Sequence, residues 1–187
     1  MSTGTFIGII IAVAVVLVLI AVAVGMAMRR RHLRQTFGPE YERAVEADGG
    51  SRRTAERELR AREQRHRGLD IRELPPAARE RYAVEWKGAE ERFVDQPRQS
   101  VDEADHLVTQ LMGERGYPTD GYEQQVRDLS VEHASTLEHY RVAHEVNVRN
   151  QDGTATTEEL RGAMVHYRAL FQELLGNQNR GTRYGAA

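Results

Sequence analysis

His133, Tyr140 and His144 recur at spacings of seven and four residues in one helical stretch of the chain. Imidazole and phenol on one face could move a proton or hold a small polar ligand. A shared metal is a poor fit. His133 and His144 are three turns apart, roughly 16 Å along a helix axis. Neither His-Glu-x-x-His nor the Glu-x-x-His of bundle di-iron sites occurs. His139 points to the other side of the same helix. Motifs for acyl, phosphoryl or hydride transfer are also missing: no Gly-x-Ser-x-Gly, no phosphate loop, no dinucleotide glycine fingerprint. The sequence therefore nominates no catalytic residue, no metal ligand and no cofactor, and leaves His133, Tyr140 and His144 as a candidate pocket.

A second pattern resembles a calcium loop. Val148 to Glu159 places Asn150, Asp152, Gly153 and Glu159 at positions 3, 5, 6 and 12. Position 1 needs a carboxylate, and Val148 offers no oxygen. A helix–turn–helix junction explains the same residues. Asp152-Gly153 makes the turn and Glu159 serves the next helix as a cap.

The cationic residues carry the clearest signal. Arg29, Arg30, Arg31, His32 and Arg34 follow 23 residues, Phe6 to Met28, that hold no charge. A helix of that length is roughly 35 Å long and spans a hydrocarbon core of about 30 Å. Arginines flanking a span stay on the cytoplasmic side. A cleaved signal peptide would have its basic residues first and a shorter apolar core. Further along, Arg53, Arg57 and Arg60 share a face that could rest on anionic headgroups. The same helix contains Glu56 before Arg60, Glu58 before Arg62 and Glu63 before Arg67. Those i,i+4 pairs would also stabilise a solvated helix by about 0.2–0.5 kcal/mol each. Within the span, Gly4, Gly8 and Ala12 line up at four-residue spacing, a face that would allow a homodimer.

Charge is unevenly placed. No acid precedes Glu40, so the 22 bases left after the collar arginines meet all 28 acids, a balance of −6 over residues 35–187. A nucleic-acid partner is not expected of such a surface. Cysteine is absent, which excludes disulfides, thiolate zinc sites and cysteine nucleophiles.

Between sparse turn signals the pattern is helical. The span should continue to about Thr36 and stop before Pro39, with a short helix over 39–47. Ser51 opens a helix to about Arg67. Pro75 or Pro76 opens the next, with Ala78, Tyr82, Trp86, Ala89 and Phe93 on one stripe. Another starts near Pro97, shows Val101, Ala104, Val108, Leu111 and Met112, and stops at Gly116. The stretch 120–149 follows, with Ser130 as a candidate cap for a restart. Thr156 and Glu159 form a capping box before a broad apolar face from Leu160 to Leu174. Amphipathic stripes of this kind bury themselves against one another.

Several runs carry a resemblance: Arg34-Gln35-Thr36-Phe37-Gly38-Pro39-Glu40-Tyr41, Arg92-Phe93-Val94-Asp95-Gln96-Pro97, Arg115-Gly116-Tyr117-Pro118, Leu129-Ser130-Val131-Glu132-His133, and Ala163 to Phe171. From residue 33 to 175 the chain resembles a family of uncharacterised actinobacterial proteins labelled "membrane" or "secreted". The resemblance implies no activity, ligand or catalytic residue. Its members tend to have proline after the histidine matching His133, where this chain has Ala134. The label "secreted" opposes the charge bias, which puts the C-terminal bulk inside.

The expected architecture is all-α: a short extracytoplasmic N-terminus (1–5), a transmembrane helix (6–28), a basic juxtamembrane linker (29–50), a cytosolic bundle of about five helices (51–175) and a disordered tail (176–187). The expected location is the plasma membrane, single-pass, N-terminus out. The expected function is a membrane-anchored interaction or scaffold module for an unidentified protein, with Arg29, Arg30, Arg31, Arg34, Arg53, Arg57 and Arg60 against the bilayer. The alternative is a small-molecule or metal-binding sensor or enzyme that uses the His133, Tyr140 and His144 pocket.

Overall fold

In a computed structural model the described residues are 3–176, with side chains from residue 13 onward. They are all-helical, and eight helices follow one another without a strand among them. The chain divides into two compact units, Met1–Arg60 and Ala61–Ala187.

In the first unit, α1 (Thr3–Phe37) is one uninterrupted helix of 35 residues. It is the one described helix long and apolar enough to cross a membrane. Its large apolar side chains from Val13 to Met28 are half or more exposed, so nothing in the unit buries them. Gly25 faces open space. The Gly4, Gly8 and Ala12 face lies outside the residues whose side chains are described. Beyond the arginines the character of the helix reverses, with Leu33 and Phe37 fully buried. Gly38, at φ 48°, turns the chain into α2 (Pro39–Ala47), which starts with proline in its first turn. Tyr41, Ala44 and Val45 of α2 are buried, as are Ala55 and Leu59 of α3 (Arg52–His66). The Tyr41 hydroxyl donates to Glu56 at 3.0 Å, and Arg34 pairs with Glu42 at 2.7 Å. The stretch 29–50, expected as a linker, is therefore mostly helix with buried apolar anchors.

The second unit holds α4 (Pro76–Arg92), α5 (Pro97–Arg115), α6 (Tyr122–Glu132), α7 (Ala134–Gln151) and α8 (Thr157–Gly176). Helix α8 is the central one and packs on α4, α5 and α7. Its stripe Leu160, Ala163, Met164, Tyr167, Leu170, Phe171 and Leu174 is buried in a core shared with Trp86, Val108, Leu111, Leu129 and Leu137. Trp86 stacks on Phe171 with ring centroids 4.5 Å apart. Burying side chains of this size contributes about 1.5–3 kcal/mol each, which is why the amphipathic faces set the packing.

The count of about five bundle helices is low, because the stretch 120–149 is two helices rather than one. The break comes at His133, not Ser130. The Ser130 hydroxyl bonds back to the Arg127 carbonyl at 2.6 Å inside α6, so it caps nothing. His133 leaves helical geometry at φ −117°, ψ 28° and turns its ring into the protein. At the other end of the unit, Gly116 adopts φ 95° as the left-handed stop of α5. The expected tail falls, from residue 177 on, outside the described residues.

Candidate functional site

Three polar clusters are candidates, and the second and third draw on tyrosines of the apolar core. The first belongs to the Met1–Arg60 unit. Helical spacing puts Arg53, Arg57 and Arg60 on one face of α3, and Arg52 lies beside them. The end of the apolar stretch of α1 supplies Met26, Ala27, Arg29 and Arg30. Together with Glu56 these residues line one cavity of about 530 Å³. Six guanidinium groups thus meet one carboxylate. Arg60 pairs with Glu56 at 3.4 Å. Among the described residues Arg29, Arg30, Arg52, Arg53 and Arg57 form no ion pair, and the Arg30 Nε is buried without a hydrogen-bond partner. Of the expected membrane-facing set, Arg31 and Arg34 do not line this cavity. Arg34 is engaged with Glu42 and lies over the Tyr41 ring at 5.1 Å. Arg52 and Glu56 are the members that helical spacing of arginines alone does not select.

The second cluster surrounds His133. Its Nδ1 is 2.7 Å from a Glu173 oxygen, and its Nε2 is 3.1 Å from the Tyr117 hydroxyl. The same hydroxyl reaches Glu132 at 2.9 Å. A phenol has one proton and here two acceptors compete for it. Donated to His133, it leaves a neutral ring that donates from Nδ1 to Glu173. Donated to Glu132, it requires His133 to donate from both nitrogens, as imidazolium. His66 lies beside this group but is not hydrogen-bonded into it: its Nε2 is 4.0 Å from Glu132 and has no hydrogen-bond partner among the described residues, and its ring is 6.0 Å from Tyr117. An open cleft of about 390 Å³ runs past His133, Glu132 and Glu173, bounded by Arg79 and Arg115. Arg115 caps the end of α8 through the Leu174 carbonyl at 3.1 Å. Tyr117, Glu173 and the two arginines had no signal in the sequence, since they come from three separate segments: Arg79 from α4, Arg115 and Tyr117 from the end of α5 and the turn after it, and Glu173 from α8.

The third cluster contains Tyr140 and His144. Tyr140 donates to Gln125 at 2.5 Å, and Tyr167 to Asp105 at 2.7 Å. Burial, reinforced by the Asp105 charge, raises the pKa of both phenols, so they act as neutral donors and not as bases. His144 stacks on Tyr122 at 3.9 Å between centroids and lies 3.6 Å from Asp105. Tyr140 and His144 are thus brought together, with ring centroids 6.1 Å apart, whereas His133 has the separate neighbours described above.

Two further expectations meet specific geometry. The Asp152-Gly153 turn has Gly153 at φ 75°, and Glu159 is committed to the cap, receiving the Thr156 N–H at 2.7 Å and the Thr156 hydroxyl at 2.8 Å. Among the described residues no three His, Asp or Glu side chains converge as a metal site. Compared with known protein families, curated proteins and solved structures, the chain matches none of them.

Proposed function

We propose that this protein is a single-pass, membrane-anchored helical interaction module, its N-terminus outside and its helical bundle held at the cytoplasmic face. The observation that carries this reading is the abrupt change along α1. Side chains from Val13 to Met28 stand exposed, while Leu33 and Phe37, in the last turns of the same helix, are buried. Exposed apolar surface of that extent needs lipid, and the buried end gives the anchor a folded attachment. Arginines at the junction favour the cytoplasmic side. The Ala61–Ala187 unit has its own packed core, and its most buried tyrosines are tied to Gln125 and Asp105. Such a unit offers helix surfaces for a protein partner.

The chain contains no cysteine, which permits a clean test. Single cysteines replacing Ser2 and Ser51 are probed in intact cells with a membrane-impermeant maleimide. The expected result is labelling of S2C alone. Labelling of S51C in intact cells would reverse the orientation. Recovery of both in the soluble fraction would remove the anchor. A Leu17→Arg substitution, costing about 2.5–3.5 kcal/mol at the centre of a span, should release part of the chain from carbonate-washed membranes.

A second reading rests on the cleft past His133, where the hydrogen-bonded group of His133, Tyr117, Glu132 and Glu173 meets two arginines. It makes the bundle a sensor for a small carboxylate. Addition of small carboxylates should then raise the melting temperature of the wild type and leave Arg79→Gln unchanged. Equal responses of the two proteins would end it.

A further inference from the structure

The arginine cavity of the first unit poses an electrostatic problem. Six cations line one space of about 530 Å³ with a single carboxylate for company. Like charges repel, by about 1 kcal/mol per pair at 4 Å in water and by more where the dielectric falls. Helix α3 supplies acids to arginines outside the cavity. Glu63 holds Arg67 at 2.6 Å, yet five of the six cavity arginines form no ion pair among the described residues. The position of the cavity is equally specific. Met26 and Ala27, the last turn of the exposed apolar stretch, form part of its wall, and Arg29 and Arg30 follow directly. Apolar contact on one side and guanidinium groups on the other match a molecule with an acyl end and an anionic oxyacid end. Arginine forks pair bidentately with phosphate oxygens.

We propose that this cavity is a binding site for a phosphodiester anion, supplied by the headgroup of an anionic phospholipid lying against α1. Arg29 and Arg30 meet the phosphate from the anchor side. Arg52, Arg53, Arg57 and Arg60 close over it from α3, and Met26 contacts the start of the acyl chains. Binding would neutralise the collar and clamp α3 to the membrane surface. This proposal rests on the anchored reading above, so anchoring is scored separately, by carbonate-resistant sedimentation of the membranes from which each sample is extracted.

The test uses the full chain in mild non-ionic detergent, with bound lipid read by native mass spectrometry. Phosphatidylglycerol and phosphatidylcholine are the probes, and glycerol 3-phosphate is the soluble competitor. The expected result is retention of phosphatidylglycerol at least tenfold over phosphatidylcholine. The triple variant R53Q, R57Q, R60Q should lose that preference. The charge-matched triple R62Q, R65Q, R67Q, at and just beyond the C-terminal end of α3 and outside the cavity, should keep it. Displacement by millimolar glycerol 3-phosphate would support the site and assign it to free phosphoesters as well. Resistance to the competitor would support it as a lipid site. Equal loss in the two triples would overturn the cavity in favour of diffuse charge, and equal retention of the two lipids by the wild type would overturn the proposal outright. Circular dichroism of each variant guards against a lost fold.

Discussion

The Nδ1 of His133 lies 2.7 Å from a carboxylate oxygen of Glu173, forty residues further along the chain. His133 is the residue at which α6 ends and α7 begins. The break between two helices is therefore tied directly to the last turns of α8. Both side chains are largely withdrawn from solvent, at 3% and 9% exposure, so neither is well served by water if the other is removed.

His133→Ala should destabilise the second unit by about 3 kcal/mol, since it removes the hydrogen bond between the ring and Glu173 and leaves a hole where the buried imidazole sat. Glu173→Gln keeps an acceptor for the ring and should cost less. The single tryptophan makes the measurement local. Trp86, stacked on Phe171 in the core, reports the unfolding of this unit in denaturant. Equal midpoints for wild type and His133→Ala would show that the bond adds nothing.

Gly116 cannot take a side chain. Its φ is 95°, and an added Cβ would meet the Asp70 carbonyl oxygen at 2.2 Å. The same approach lets the Arg72 N–H bond the Arg115 carbonyl at 2.9 Å. Gly116→Ala should therefore cost more than about 1 kcal/mol, the usual limit for a compatible glycine site. Gly162→Ala, where a Cβ meets nothing, should stabilise α8 by up to about 1 kcal/mol. The two melting temperatures, read through Trp86, should move in opposite directions.

Glu159 is held at a pKa of about 2 by the Thr156 N–H, the Thr156 hydroxyl and Arg149. A carboxylate with a depressed folded pKa stabilises the fold above its unfolded value near 4.5. That contribution is lost as the pH falls through about 2. Thr156→Ala should remove about 1 kcal/mol of capping at neutral pH. It should also narrow the acid window, bringing the Glu159 carboxyl titration closer to 4.5 when followed by NMR. An unchanged Glu159 titration in that variant would contradict the box.

His166 behaves in the opposite range. Desolvation first, and the neighbouring His139 second, lower its pKa below 6.5. The two Nδ1 atoms are 2.8 Å apart, a bond that needs one ring to donate and the other to accept. Above pH 6.5 neither folded nor unfolded His166 binds a proton, and the contribution is intact. Below it the unfolded chain takes up the proton first, so stability falls until the lower folded value is passed. Between pH 7.5 and 5.5 the wild type should lose more thermal stability than His166→Gln. Parallel curves would show that the pair is not strained by protonation.

How far these features could be seen in the chain differs by kind. The all-helical class was legible, because stripes such as Val101, Ala104, Val108 and Leu111 repeat every three or four residues and only a helix gathers them on one side. The length and apolarity of α1 were legible for the same local reason. The division at 120–149 was not. Ser130 has the right chemistry for a cap, but its hydroxyl found a carbonyl one turn back. His133 broke the helix because Glu173 and Tyr117 were waiting for its ring.

By itself the sequence determined whatever depends on neighbours along the chain: helical periodicity, the uncharged stretch, the collar of arginines, the capping box of Thr156 and Glu159. Backbone hydrogen bonds and side-chain faces within a helix are set over three or four residues, so a local pattern is enough. Tertiary structure alone decided which cations meet. Arg29 and Arg30 share a cavity with Arg52 to Arg60 only because the chain reverses at Gly38 and again after α2. It likewise decided that His133 belongs with Tyr117 and Glu173 while Tyr140 and His144 belong with Asp105 and Tyr122. Those partnerships are fixed by how the helices pack, and the burial of Phe37, Trp86 and Phe171 that drives the packing is a property of the whole unit.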